Sequence, residues 1–390
     1  MATENTVSVF AFPTRIVFGV GALQRLPAEI ARLGVKRPLL VTDRGVVQAG
    51  LAERVVAEAA KAGMMLPVFD GVSPNPTEQN VVDGLARYQA ENCDSILGLG
   101  GGSPLDAAKA IRLRVTHELP LEEYDDLLDG GNKISKNVPP FIAIATTSGT
   151  GSDVSRSTVI TLKATDRKTV IFSPYLIPSV AIADPELTVS MPPKITAGTG
   201  LDALTHNLEA YLSLGYHPMC DAIALEGTRL AARNLVAAVR NGSDIKARAQ
   251  MMMSAIMGAV AFQKGLGVVH SLAHPLSSIA GLHHGTANGI LLPHALEFNR
   301  STSEERIRDL AVAMEIDISG LEVSDAATAA IQRIQQLLKE VDVPGRLSAF
   351  GVTRDIVPAM AKKATQDGCH QLNPRPCTEA DMVMLYERAL

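Results

Sequence analysis

Tryptophan is absent from this 390-residue chain, and aromatic residues make up only 4% of it. Its cores must therefore be filled by aliphatic side chains and methionine, for which an apolar fraction of 46% supplies ample material. Cysteine is scarce as well: Cys93, Cys220, Cys369 and Cys377 include no C-x-x-C pair. A chain this long does not need covalent staples, so free thiols in a reducing compartment are expected, which points to the cytoplasm. An excess of charge of one sign is also missing. A net charge of -5 gives no electrostatic footprint for nucleic acid or an anionic membrane, and neither is expected as a partner. The apolar runs are short or broken by glycine and proline, so no membrane span is expected. The opening MATENTVSVFAFPTR has no basic stretch followed by a long apolar one, which argues against a signal peptide.

The length exceeds what one core usually supports, so two domains are expected. In the first half, short apolar runs (PLLVTD at 38–43, MLPVFD at 65–70, SILGLG at 95–100, FIAIA at 141–145) alternate with helical patterns such as Leu51–Lys61 and Val81–Glu91. Buried strands alternating with helices predict βαβ units and a parallel sheet. Ser155–Ile171 alternates Thr, Val and Ile around a polar TDRK turn and reads as a β-hairpin laid on that sheet. The segment Val7–Val20 is a candidate added strand that pairs across a dimer. After Asp184-Pro185 the periodicity becomes helical to the end. Thr196 marks a candidate helix N-cap, and Ser243 or Asp244 caps a helix rich in core-filling Met. The boundary is placed near residue 186, between an α/β half and an all-α half.

Two groups of residues carry chemistry. In GLGGGSPLDAAKAI (98–111), Gly100, Gly101 and Gly102 allow close approach of a ligand to backbone. Ser103 stands where an N-cap belongs and Pro104 suits a first helical turn, so the helix start favours an anion such as a pyrophosphate. Ser103 occupies the place of the third Gly of G-x-G-x-x-G, so this is not the usual dinucleotide fingerprint. Asp43, closing VTD, can accept hydrogen bonds from a ribose diol and would repel a 2′-phosphate, which favours NAD over NADP; it can equally cap a turn. TTSGTGSDVS (146–155) follows another strand and offers hydroxyls and glycines for phosphate or ribose. In the second half, Asp202 and His206 stand i, i+4, as do His270 and His274, and His283 and His284 follow. Imidazoles and a carboxylate on shared helix faces are ligands for a divalent ion, Zn(II) or Fe(II).

GGGSPLDAAKAI, TTSGTGSDV, VAIADPELTVSMPP, GLDALTHNLEAY, VVHSLAHPL, HHGTANGILLPH and the NPRP near the end together resemble the iron-containing (type III) alcohol dehydrogenases. The resemblance implies a Rossmann-like, NAD-binding α/β domain over residues 1–186 and a metal-binding helical domain over 187–390, a fold shared with dehydroquinate synthase. It implies Asp202, His206, His270 and His284 as metal ligands, with His274 a non-ligand catalytic histidine that relays the proton. It places Gly101, Gly102, Ser103 and Asp106 at the pyrophosphate, with Asp43, Asn75, Thr146, Thr147 and Lys168 completing the cofactor site. The implied chemistry is reversible hydride transfer between NAD and a small alcohol, diol or hydroxy acid, in a homodimer or larger homo-oligomer. His283 departs from the family pattern and is a possible competing ligand. Arg156 departs too, and a fixed cation there would suit a hydroxy acid such as 4-hydroxybutyrate. Lyase chemistry of the dehydroquinate synthase kind would need a basic cluster near the metal motif, which the sequence lacks. A non-catalytic metal-binding role does not account for the adjoining cofactor motifs.

Overall fold

The computed structural model describes residues 10–12, 14–163 and 167–390. Two compact units emerge: Phe12–Met191, and Pro192–Leu390 together with Phe10 and Ala11. The division falls at Met191–Pro192, beside the Pro pair of MPPKIT.

The first unit is a six-stranded parallel sheet. Its strands are β1 (Arg15–Phe18), β2 (Pro38–Val41), β3 (Val68–Phe69), β4 (Ser95–Gly100), β5 (Phe141–Ala145) and β8 (Val180–Ala183), in the order β1-β8-β5-β4-β2-β3. Helices α1 (Leu26–Leu33), α2 (Arg44–Gln48), α3 (Leu51–Ala60), α4 (Glu78–Ala90) and α5 (Gly102–Thr116) connect them. The central strands read as near-continuous apolar runs because both faces are covered. Leu40, Leu97, Leu99, Ile142 and Ile144 pack with Ile30, Val55 and Ala59 of α1 and α3 on one face. Leu39, Val41, Ile96, Phe141 and Ala143 point the other way, into a core with Val81 of α4 and Ile111 of α5. This two-residue alternation fixes the register.

Two of the expected β elements are seen in the first unit. Arg15–Phe18 pairs in parallel with β8 and forms an edge of the sheet; residues 7–9 and 13 of that segment lie outside the described residues. The hairpin exists as β6 (Ser157–Leu162) and β7 (Arg167–Phe172), but it forms a separate two-stranded sheet and docks on α5. Its Ile160, Leu162 and Ile171 join the α5-side core, which explains why one of its faces is apolar. Residues 164–166 of its turn lie outside the described residues.

The second unit is helical: α6 (Pro193–Leu212), α7 (Pro218–Arg240), α8 (Ile245–Ala261), α9 (Val268–Ile279), α10 (His284–Ala313), α11 (Val323–Glu340), α12 (Val357–Ala364) and α13 (Glu379–Ala389). Its core is almost wholly Leu, Ile, Val, Ala and Met. Its buried aromatics are Tyr211, Phe298 and Tyr386, and the Tyr386 hydroxyl donates to the Leu272 carbonyl at 2.6 Å, as a buried phenol requires. Asp244 caps α8 through Lys246 N–H and Ala247 N–H. Thr196 is not an N-cap: α6 starts at Pro193, and the Thr196 hydroxyl bonds back to Pro192 O within the first turn. Proline at the first helical position needs no N–H partner, so it opens this helix without a polar cap. No single described helix is long and apolar enough to cross a membrane.

Candidate functional site

The order of the sheet picks out one point on its rim. From β2 the chain steps outward to β3, whereas from β4 it steps the other way, to β5 and then β8. The strand order reverses between β2 and β4, and ligands of open α/β sheets bind beyond the carboxyl ends of strands at such a reversal. Asp43 follows β2, and Gly101, Gly102 and Ser103 follow β4, so the candidate cofactor residues flank this crevice. Gly100 has φ +148°, a conformation that L side chains rarely adopt, and turns the chain from β4 into α5. A Cβ on Gly101 would stand 3.1 Å from the Thr147 side chain, and one on Gly102 would stand 2.9 Å from Thr150. The absence of side chains lets the loop after β5 lie against the α5 N-terminus, where Thr146 N–H also donates to Gly100 O at 3.0 Å.

Details differ from the sequence reading. Gly101, not Ser103, is the N-cap of α5; Ser103 lies inside the first turn and its hydroxyl donates to Pro74 O, holding the exposed Asn75 loop against the helix start. Asp43 does cap α2, accepting from Val46 N–H at 2.9 Å. Asp106 engages both carboxylate oxygens with protein donors, the Ser152 hydroxyl at 2.6 Å and Val159 N–H at 3.2 Å. Sequence reasoning passed over Lys109, one turn further along α5. Its buried ammonium donates to Ser152, Ser155 and Ser157 O, tying the 146–155 loop to α5. Burial pushes the Lys109 amine down to about 8 against the opposing charge of Asp106, and burial pushes the Asp153 carboxyl up to about 6. Lys168 pairs across the hairpin with Thr161, and burial lowers its pKa despite Asp106. Arg156 lies over the Phe172 ring, with its guanidinium carbon 5.2 Å from the centroid.

In the second unit, three helices converge on Asp202. Asp202 and His206 come from α6, His270 from α9 and His284 from the first residue of α10. The α10 start can come this close to α6 because Gly285 and Gly198 lack side chains: a Cβ on Gly285 would stand 2.1 Å from Gly198 O. As a result Asp202 Oδ1 lies 3.9 Å from His206 Nε2, 3.8 Å from His270 Nε2 and 3.7 Å from His284 Nε2. Asp202, His206 and His270 are buried. These separations are too long for hydrogen bonds, yet all three ring nitrogens turn toward one carboxylate oxygen.

The protonation pattern suits a cation. Buried Glu209 accepts from Val269 N–H at 2.7 Å, and its other oxygen lies 2.6 Å from His270 Nδ1. A carboxylate only accepts, so Nδ1 carries the proton and Nε2 presents a lone pair toward Asp202. Burial works against protonating His270, but the Glu209 carboxylate outweighs it and the pKa is raised. The field that favours a proton there also favours a metal ion, and an orienting carboxylate behind a histidine is the usual support for a metal ligand. Three imidazoles and one carboxylate fit Zn(II) and Fe(II) alike. His283 does not join the group. Its Nδ1 takes the N-cap position of α10, facing Thr286 N–H at 3.4 Å.

His274, one turn beyond His270, points its Nδ1 at Asp367 Oδ2, 2.7 Å away. Asp367 also accepts from the Ser271 hydroxyl and Cys369 N–H. Burial alone would raise the Asp367 pKa; the His274 charge and these donors hold it well below the usual carboxylate range. Asp367 is therefore an acceptor, and His274 keeps Nε2 as its basic nitrogen. The His274 and His284 rings stack at 5.2 Å. Neither Glu209 nor Asp367 was singled out from the sequence. The Glu209 signal was present, at i+3 from His206 and i+7 from Asp202 on one helix; Asp367 has no comparable spacing signal.

Comparison with known proteins gives the relatives of this chain. Residues 13–185 match the model described as "Iron-containing alcohol dehydrogenase", and residues 196–390 match "Fe-containing alcohol dehydrogenase family, C-terminal". The chain is 39% identical to the 4-hydroxybutyrate dehydrogenase of Cupriavidus necator over 97% of its length and 98% of the relative's. A crystal structure of a 1,3-propanediol oxidoreductase superposes with a TM-score of 0.95 at 39% identity, covering 98% of this chain and 100% of the other. The sulfoacetaldehyde reductase of Bifidobacterium kashiwanohense, solved with NAD+, gives a TM-score of 0.88 at 28% identity over 99% of each chain.

Proposed function

Because the chain belongs to the iron-containing alcohol dehydrogenase family and is an oxidoreductase, we propose that it catalyses reversible, NAD-linked, divalent-metal-dependent hydride transfer on a small alcohol, diol or hydroxy acid. The observation that carries this reading is the convergence of three histidine Nε2 atoms within 3.7–3.9 Å of Asp202 Oδ1.

Asp202, His206, His270 and His284 are the metal ligands in this proposal, with Glu209 fixing the tautomer of His270. When bound, the ion supplies Lewis acidity that favours the deprotonated alcohol or polarises a carbonyl, while the nicotinamide takes or gives the hydride. His274 moves the proton. Its Nδ1–H is held by Asp367, so Nε2 can accept a proton during alcohol oxidation and return it during aldehyde reduction. In the first unit, the N–H groups of Gly101, Gly102 and Ser103 at the α5 N-terminus bind the pyrophosphate, where the helix dipole adds favourable potential. Asp106 shapes that site by tethering the loop that carries Thr146 and Thr147, and Asn75 and Lys168 complete it. Asp43 disfavours a 2′-phosphate and so selects NAD.

A hydroxy acid is the second reading. The Cupriavidus relative is named for one such substrate, and Arg156 is the cation assigned to its carboxylate. Arg156→Ala should then weaken use of 4-hydroxybutyrate far more than that of 1,3-propanediol; equal losses on both sinks this assignment. A cytoplasmic homodimer or larger homo-oligomer is part of the proposal, supported by the scarcity of cysteine, with no C-x-x-C pair, and by the family. The test of the main reading is metal stoichiometry: wild-type protein should bind one Fe(II) or Zn(II) per chain, and Asp202→Ala and His270→Ala should lose both the ion and turnover. Full turnover in metal-free protein would overturn it.

A further inference from the structure

Asn288 stands four residues after His284 on the same face of α10, and its amide reaches into the ligand group. Nδ2 donates to Asp202 Oδ1 at 2.7 Å, and it lies 3.3 Å from His270 Nε2 and 3.2 Å from His284 Nε2. The side chain is fully buried, and its Oδ1 accepts no hydrogen bond among the described residues. One amide nitrogen, with two hydrogens, thus faces atoms of three of the four proposed ligands.

An imidazole nitrogen without a proton has a single lone pair, which lies in the ring plane. Once that lone pair points at an N–H it is not available to a cation. A carboxylate oxygen has further lone pairs and can serve both. The contacts of Asn288 therefore differ in kind: the bond to Asp202 is compatible with a bound cation, and the two imidazole contacts are not. Glu209 sharpens the conflict at His270, because it pins the proton on Nδ1 and leaves Nε2 as the ring's acceptor.

We propose that Asn288 is a built-in competitor of the metal ion: with one N–H on Asp202, its second N–H is shared between the His270 and His284 nitrogens and must leave them before a divalent cation can take their lone pairs. This rests on the metal-site reading above and adds to it a residue that sets affinity and loading rate without being a ligand. It also accounts for the buried, unsatisfied Oδ1: the amide is oriented by the acceptors around its nitrogen at the expense of its oxygen.

The proposal makes an unusual prediction, since loss of a polar residue beside a metal site should tighten binding. Zn(II) affinity is measured on purified, metal-stripped full-length protein by competition with a chromophoric chelator, and melting temperature is read with and without Zn(II). In Asn288→Ala the dissociation constant should fall about five- to tenfold, and loading should be faster. The melting temperature without metal should drop, because the buried Asp202 carboxylate loses its amide donor, so the gain on adding Zn(II) should grow. Asn288→Leu, apolar and close in size, should tighten binding in the same sense and covers the case in which the alanine variant does not fold. A dissociation constant that is unchanged or raised in the folded variants overturns the proposal, since Asn288 would then only support Asp202. The metal-site reading fails separately: wild-type protein would bind no stoichiometric Zn(II) at all.

Discussion

Glu209 offers the sharpest test of how the second unit holds a cation. Glu209→Gln keeps the size of the side chain and one acceptor oxygen but removes the charge. The bond to His270 Nδ1 is 2.6 Å long and charge-assisted. Hydrogen bonds to charged groups contribute about 1.5–3 kcal/mol and neutral ones about 0.5–1.5 kcal/mol, so the substitution should cost the His270 side roughly 1–1.5 kcal/mol. Since about 1.4 kcal/mol is a factor of ten, metal affinity should fall about tenfold, near the lower end of what orienting residues usually contribute. Folding should suffer less than in the alanine variant, because the one amide oxygen that stays on His270 Nδ1–H leaves only the Val269 N–H without an acceptor. Glu209→Ala is different. It strands the Val269 and His270 N–H groups in a buried site at about 1–3 kcal/mol each, so it should lower the melting temperature as well as the affinity. Chelator competition with Zn(II) and a thermal melt on both variants separate the two effects. Wild-type metal affinity in Glu209→Gln would refute the claim that Glu209 prepares His270 as a ligand.

Three further outcomes follow from the same geometry. His274→Ala should retain its metal but lose roughly 10²- to 10⁴-fold in kcat, the range for a positioned acid–base group, and its pH–rate profile should flatten; an unchanged rate and profile would end the relay assignment. Asp43→Ser keeps a cap for α2 while removing the charge, so the ratio of kcat/KM for NAD over NADP should fall at least severalfold; an unchanged ratio would leave Asp43 as a cap only. Asp367 has its pKa depressed below the ordinary 3.8, so its contribution to stability is present above that pH and is lost as pH falls further. Acid unfolding followed by circular dichroism should accordingly be shallower below about pH 4 in Asp367→Asn than in wild type, and identical slopes would contradict the His274–Asp367 pair.

What could be read in advance was whatever is local in sequence. The apolar runs at 95–100 and 141–145 are strands with those bounds, because strands buried on both faces leave a continuous apolar signature. The i, i+4 spacings of Asp202 with His206 and of His270 with His274 survive as shared helix faces. Long-range partners were not legible: Asp367 meets His274 across 93 residues, and Glu209 meets His270 across 61. Ser103 looks like a cap because any Ser before a helical pattern does, while the positive-φ turn at Gly100 lets the helix begin at Gly102. The parallel partner of Arg15–Phe18 was not legible either, because it lies at Val180–Ala183, far along the chain. Lys109 stayed hidden for a similar reason: a lysine in a helical pattern reads as solvated, and only the folded loop shows three acceptors around it.

The central claim is metal-dependent, NAD-linked alcohol oxidation. The most direct measurement is NADH formation by metal-stripped protein, before and after reconstitution with Fe(II) or Zn(II), across 1,3-propanediol, simple primary alcohols and 4-hydroxybutyrate. The account predicts negligible turnover without metal, restored turnover with one ion per chain, and no restoration in Asp202→Ala. Equal NADH formation in stripped and reconstituted protein, or none with either metal on any of these alcohols, would contradict it.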